Sequence, residues 1–210
     1  TTGQQGIELP YEPFRTIENV ALGTVDTLPD KDSVVRNYLP YTTEKETQFV
    51  YDSIALAAVK AFAPLQSINL DKLSLQNSKM LINYASSPRN QLLQYRSISF
   101  LDLYKEAYVG FNPNQFKDKI VLFGASFRGS QDGFFTPPDP TAQMYGVENH
   151  ANAIQTILEQ KFLRNMKTIE KVLLLFLICL ASAFVFLYTP IRWSLVFLIA
   201  VPGLYTLLAP

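Results

Sequence analysis

Runs and alternations of apolar residues divide this chain into short extended segments, two amphipathic stretches and a long apolar tail. Residues 1–20 carry Gly and Pro without periodicity and read as loop. Val20 to Val25 and Val34 to Tyr38 read as strands, joined as a hairpin by the polar turn Pro29-Asp30-Lys31-Asp32-Ser33. Thr43-Glu44-Lys45-Glu46 has capping-box spacing. The run behind it sets Phe49, Ile54, Ala57, Ala58 and Ala61 on one broad face, which predicts a helix ended by Pro64. Lys79 to Tyr84 is expected as a strand and Ser86 to Asn90 as a loop, with a further strand at Tyr95 to Ser99. Ser99 and Asp102 have the spacing to cap a short helix through Ala107. Lys119-Ile120-Val121-Leu122-Phe123 is apolar without interruption, the pattern of a central strand buried on both faces. A long loop to Tyr145 follows, then a helix from Gly146 to Phe162 whose apolar stripe is Val147, Ala151, Ile154 and Leu158. Strands alternating with helices after an opening hairpin indicate an α/β layered domain with a mixed sheet and flanking helices.

The tail has a different character. From Val172 onward the only charged residue is Arg192. Val172 to Tyr188, extended through Ile191, approaches the ~20 apolar residues that a helix needs to cross hydrocarbon. Internal pairing of backbone groups makes helix the form such a span takes. Thr189-Pro190-Ile191-Arg192 interrupts it, and Trp193 onward is again uncharged, bent at Pro202-Gly203. Tyr188 and Trp193 suit the two sides of a membrane-interface turn. The expected organisation is a soluble α/β domain at 1–166 and a membrane region at 167–210, an antiparallel hairpin of helices at about 170–189 and 192–209.

Composition narrows the function classes. The 210 residues carry no net charge, which argues against nucleic acid as a partner. The single cysteine, Cys179, lies in the apolar tail, so an intrachain disulfide and a cysteine zinc site are both excluded. One histidine leaves no zinc or proton-relay cluster, and no cofactor is expected. Ser126, His150 and Asp132 are the residue types of a hydrolase triad. However, Gly124-Ala125-Ser126-Phe127-Arg128-Gly129 is not the nucleophile elbow and lacks the lysine of a phosphate loop. The chain is therefore read as a non-enzyme.

Two stretches resemble a known family. Lys119-Ile120-Val121-Leu122-Phe123-Gly124, with Asp132 and Thr136-Pro137 after it, is similar to a K-I-V-x-x-G strand and D-x-x-x-T-P loop. Gly146-Val147-Glu148-Asn149-His150-Ala151-Asn152 is similar to G-V-E-x-H-A-N at the start of a helix. Both resemble the closing portion of the type-2 CHASE domain, a cyclase/histidine-kinase-associated sensory extracellular domain. Asp30 to Arg36 looks like that family's D-x-D-G-v-v-R, with Ser33 where glycine is usual, and Ser97 to Asp102 resembles its Y-S-F-x-D segment. The resemblance runs in order over residues 20–209. It lacks the family's opening strand and helix, so the sheet is expected to be incomplete at its N-terminal side and the chain to be a fragment of a longer receptor. It implies an extracytoplasmic sensor of a bacterial receptor, multi-pass in the inner (plasma) membrane, relaying ligand binding or dimer rearrangement to a cytoplasmic output module outside this chain. The other reading is a non-enzymatic accessory or docking subunit of a larger membrane complex. Expected partners are membrane lipid, a second copy or partner membrane subunits, and an unidentified small-molecule or protein ligand.

Ligands of α/β sheets gather outside the carboxyl ends of strands. Ser126, Asp132, Thr136, Glu148, Asn149 and His150 are the candidate ligand-binding residues there, and the free amides of the helix starting near Gly146 suit an anion. The same polar residues can equally tie down the loop and the helix start. Glu148, Asn152, Gln155 and Glu159 share one helix face, expected as a solvated surface. Asp30 and Asp32 lack the rest of a calcium loop and read as a hairpin turn. Tyr38, Tyr41, Phe111, Phe127, Phe134 and Phe135 are core residues by default, with pocket lining or headgroup contact as alternatives. Lys161, Arg164, Lys167 and Lys171 precede the first span, whereas Arg192 alone stands between the spans. Taken by itself this charge bias places the domain in the cytoplasm; the resemblance places it outside, and large domains translocate largely regardless of charge.

Overall fold

The computed structural model describes residues 12–15, 17–18, 20–44, 48–62, 75, 78–85, 95, 97–105, 112–127, 130, 132–188 and 190. The second expected membrane helix, Pro64, the loop at 86–90 and Phe111 lie outside these residues. The chain divides into a unit Thr1–Arg164 and a unit Asn165–Pro210.

The first unit is mixed α/β, with small sheets and helices in place of one broad sheet. After a short helix α1 (Glu12–Arg15), β1 (Thr27–Leu28) pairs antiparallel with β2 (Asn37–Tyr38), and β5 (Met80–Leu81) adds to the other edge of β2. The turn between β1 and β2 falls where the polar cluster predicts it. There Arg36 holds Asp32 through two parallel bonds of 2.9 and 2.8 Å and reaches Asp30 at 3.1 Å. The guanidinium keeps the Asp32 carboxyl down at about 2, with help from the Val34 amide. Arg36 thus supplies the positive charge that a cation would otherwise bring. Ser33 sits in this turn at φ 64°, a left-handed conformation that costs a side-chain-bearing residue roughly 1–2 kcal/mol. Ser33→Gly is therefore expected to raise stability by about 0.5–1 kcal/mol, read as a higher urea midpoint at unchanged slope.

Two expected starts move. Val20 to Val25 is extended but is not a strand of the hairpin: Thr24 bridges Ser53, bonding Asp52 and Ile54 through its backbone. Gly23 permits this approach, because a Cβ there would stand 2.7 Å from the Ile54 backbone. Thr43 does not cap a helix. It ends β3 (Tyr41–Thr43), opposite Val50 of β4 (Val50–Asp52), and beyond it the Gln48 amide donates to the Glu44 carbonyl. Helix α2 (Ile54–Phe62) starts at the next available cap, where Ser53 Oγ accepts from the Leu56 amide at 3.2 Å. Phe49 consequently lies outside the helix, its ring against Tyr51. Ala55, Leu56 and Val59 carry the buried face of α2.

Tyr95 and 97–99 form no strand, and Ser99 precedes a helix α3 (Phe100–Tyr104) without bonding its amides through the side chain. The loop expected between Gly124 and Tyr145 contains a hairpin, β6 (Gly133–Thr136) and β7 (Asp139–Tyr145), turned by Pro137-Pro138. Lys119 to Phe123 is extended but joins no sheet among the described residues. Ile120 and Leu122 pack on the core, while Val121 and Phe123 are 47% and 71% exposed. No strand among the described residues covers the second apolar face, where Phe123 meets the edge of the Phe100 ring.

Helix α4 (Gly146–Glu159) begins where the sequence predicts and ends earlier, at the left-handed Gln160. Its buried face is the expected stripe only in part. Ile154 is buried as expected and Leu158 packs against the core, but Asn149, Asn152, Ala153, Thr156 and Ile157 also turn inward, and Val147, Ala151 and Leu158 are only partly covered. Its apolar inward residues meet α2, Val35, Tyr38, Met80 and Ile82 in the core. Its polar inward residues bond the extended chain after β5. Asn152 Oδ1 accepts from the Ala85 amide at 3.1 Å and the Tyr95 hydroxyl at 3.3 Å, and Asn83 N–H donates to Thr156 Oγ1 at 3.0 Å. Backbone groups that no strand satisfies are satisfied by the helix's side chains. The Glu148-to-Glu159 face is therefore not uniformly solvated, since Asn152 is fully buried.

In the second unit, α5 (Thr168–Tyr188) is a helix of 21 residues, about 31 Å long at 1.5 Å per residue. The Lys167 amide donates to Glu170 Oε2 at 2.9 Å, half of a capping box. From Val172 its side chains are uncharged, and Ser182 donates to the Ile178 carbonyl at 2.8 Å, so its hydroxyl proton is satisfied within the helix. By length and composition α5 can cross a membrane, and the hairpin's second arm lies outside the described residues.

Candidate functional site

A groove of about 310 Å3 opens at the carboxyl end of the 119–123 run, where the sequence placed the site, although the run is not a strand of a sheet among the described residues. Leu122, Phe123 and Gly124 leave the run along one wall. Val147 and His150 come from the first turn of α4, Ile54 from the first residue of α2, Val25 from the segment that holds α2, and Asp132 from the residue before β6. Close approach builds this corner. A methyl group at Gly124 would overlap Val147, and one at Gly146 would overlap the Asp132 carboxylate.

Asp132 meets the start of α4 twice: its backbone carbonyl accepts from the Gly146 amide at 2.9 Å, and its carboxylate lies against Gly146. The positive end of the helix is thus already faced by a negative charge of the chain's own, where the sequence suggested an anion. The Asp132 side chain is exposed and has no hydrogen-bond or ion-pair partner among the described residues.

His150 occupies the inner side. Its Nδ1 is 2.7 Å from the Tyr38 hydroxyl, and the two rings meet edge to face. The Tyr38 oxygen also faces the Ser53 hydroxyl and the Ala55 amide, and burial pushes its pKa up to about 12. Either the phenol donates to Nδ1 or Nδ1–H donates to the phenolic oxygen, according to the imidazole tautomer. Burial holds the His150 pKa below its ordinary value, partly opposed by Asp132. The unfolded chain then binds more protons than the folded one between the two pKa values, so stability rises with pH there. This contribution is complete above the ordinary histidine value of about 6.5 and is lost as pH falls through the lower folded value. Urea midpoints measured from about pH 8 to about pH 5 should fall on the acid side for the native chain and flatten in His150→Asn. An equally steep fall in the variant would remove His150 from the explanation.

Of the six residues singled out in the sequence, the structure brings Asp132 and His150 into the groove. Ser126 is exposed and outside its lining. Thr136 and Asn149 are fully buried. The Asn149 side-chain amide lies 2.7 Å from the Tyr84 hydroxyl, and no hydrogen-bond partner meets Thr136 Oγ1 among the described residues. Glu148 is partly buried and its backbone carbonyl accepts from Asn152 Nδ2 at 2.8 Å. Sequence reasoning missed the groove's apolar wall, because Val25, Ile54, Leu122 and Val147 each look like core residues in their own segments. Tyr38, which orients His150, was visible only as one aromatic among several.

Residues 8–187 match the CHASE2 domain, a span that runs from before β1 to the last turn of α5. No curated protein and no solved structure matches the chain. With that match over most of its length, the chain belongs to the CHASE2 family of extracytoplasmic sensory domains.

Proposed function

We propose that this chain is the sensor of a bacterial transmembrane receptor, with the unit ending at Arg164 outside the cytoplasmic membrane and α5 crossing it. The observation that carries this reading is the family match, which continues from the α/β unit into an apolar helix long enough to span hydrocarbon. Helix α4 supports a relay. It bears His150 and Val147 of the groove at one end, and its other end leads through residues 160–167 into α5. A ligand favouring one position of α4 over another shifts the population of the two states, and only that difference in affinity does the work. The output is a cytoplasmic module outside this chain, driven through the membrane helices of a homodimer. The basic residues before α5 oppose this sidedness by the positive-inside rule, but that rule binds short loops more than large domains.

Disulfide scanning tests the relay in native membranes. Cysteines placed singly at 168–175 in a Cys179→Ala background should cross-link copies of the chain with helical periodicity. Absence of self-cross-links, together with copurification in a stoichiometric complex of other subunits, would replace the sensor with a docking subunit.

A further inference from the structure

We infer that the groove at the start of α4 takes a small organic cation, a protonated amine on a short apolar body, with the ammonium at Asp132 and the body against Leu122, Phe123 and Val147. This rests on the reading of the groove as the sensor's ligand site and adds its chemistry.

The charge balance comes first. Among the described residues Asp132 is the one full charge in the lining, and no Lys or Arg lines the groove there. His150 does not alter this above the histidine range, where its burial, which lowers the pKa, keeps the ring neutral. An anionic ligand would meet an uncompensated carboxylate at the mouth. A cation would meet the counter-charge that Asp132 lacks among the described residues. The positive end of α4 disfavours a cation by roughly half a charge, less than the whole charge on Asp132.

Shape and polarity agree. The volume, about 310 Å3, is at the lower end of the range for small-molecule sites. Six of the eight lining residues are apolar or glycine, so the body of the ligand is recognised by contact and only its head by charge. That division favours a mainly apolar body over a sugar or a polyol, whose hydroxyls against Val25, Ile54 and Leu122 would find no partners.

Three probes on one carbon skeleton separate the possibilities: 3-methylbutylamine, 3-methylbutanoate and 3-methylbutanol. His150 is the chain's single histidine, so carbon-13 label in its imidazole gives one signal that reports on the groove without assignment. The full chain in nanodiscs is titrated at constant pH above the histidine range. The amine should move the His150 signal saturably, and the carboxylate should bind at least about tenfold more weakly. Raising the salt should weaken the amine and leave the alcohol unchanged, a comparison that needs no variant. Asp132→Asn should weaken the amine about tenfold with little effect on the alcohol. Equal or tighter binding of the carboxylate, or an amine indifferent to both salt and Asp132→Asn, overturns the cation and leaves the groove a ligand site of other chemistry. If no probe moves the signal, the inference fails together with the groove's place in the sensor reading.

Discussion

Asn152→Ala is expected to cost about 2–4 kcal/mol of stability, the largest loss of any single polar substitution in the α/β unit. Asn152 is fully buried and uses both ends of its side chain. Its oxygen serves the Ala85 amide and the Tyr95 hydroxyl, and its nitrogen donates to the Glu148 carbonyl. Truncation leaves a backbone donor and a phenol without their acceptor, where no strand among the described residues can take over. Burial, with Glu159 and Glu148 nearby, already pushes the Tyr95 pKa up to about 12. Asn149→Ala should cost less although Asn149 is equally buried, because the Tyr84 hydroxyl keeps the Val35 carbonyl at 2.9 Å. Urea titration of the nanodisc-embedded chain, followed by tyrosine circular dichroism, gives the order. An Asn152→Ala midpoint no lower than that of Asn149→Ala would mean that α4 does not hold the 82–85 segment as described.

Gly124→Ala should destabilise by about 1–3 kcal/mol and close the groove at the same time. The added methyl group overlaps Val147, whose own Cβ is fixed to the first turn of α4 and cannot swing aside. Either the 119–124 segment or the helix start must move. If the clash is the whole cause, Val147→Gly in the same chain recovers most of the loss, and the coupling between the two sites exceeds about 1 kcal/mol. Additive losses would place the cost of Gly124→Ala in the backbone of the loop instead.

What could be read from the sequence was what local chemistry decides. The turn at Pro29 to Ser33 needed only its Pro, Asp and Ser residues, the start of α4 only the shift in periodicity at Gly146, and α5 only its uncharged length. Long-range choices were not legible. Thr43 and Glu46 have the right spacing for a cap, but Thr43 has a better partner in Val50 across a hairpin, and Ser53 is the cap. The 119–123 run has two apolar faces, yet local pattern cannot say whether a neighbouring strand exists to bury the second. The inward face of α4 escaped periodicity because its asparagines and threonine are buried by hydrogen bonds to a segment some 70 residues earlier in the chain. The same limit hid the groove. Its polar members were recognisable as residues of a helix start and a loop, but its apolar wall is assembled from four separate stretches.

Labelling with a membrane-impermeant maleimide tests the central claim most directly, that α5 lies in the bilayer with the α/β unit outside the cell membrane. The chain offers a clean background, since Cys179 is its single cysteine and sits within α5. In cells with the inner membrane sealed and the outside accessible, Ser126→Cys in a Cys179→Ala chain should label at once, and native Cys179 should label only after the bilayer is dissolved. A Ser126→Cys signal that needs the inner membrane opened, or free labelling of Cys179 in sealed membranes, would contradict the account.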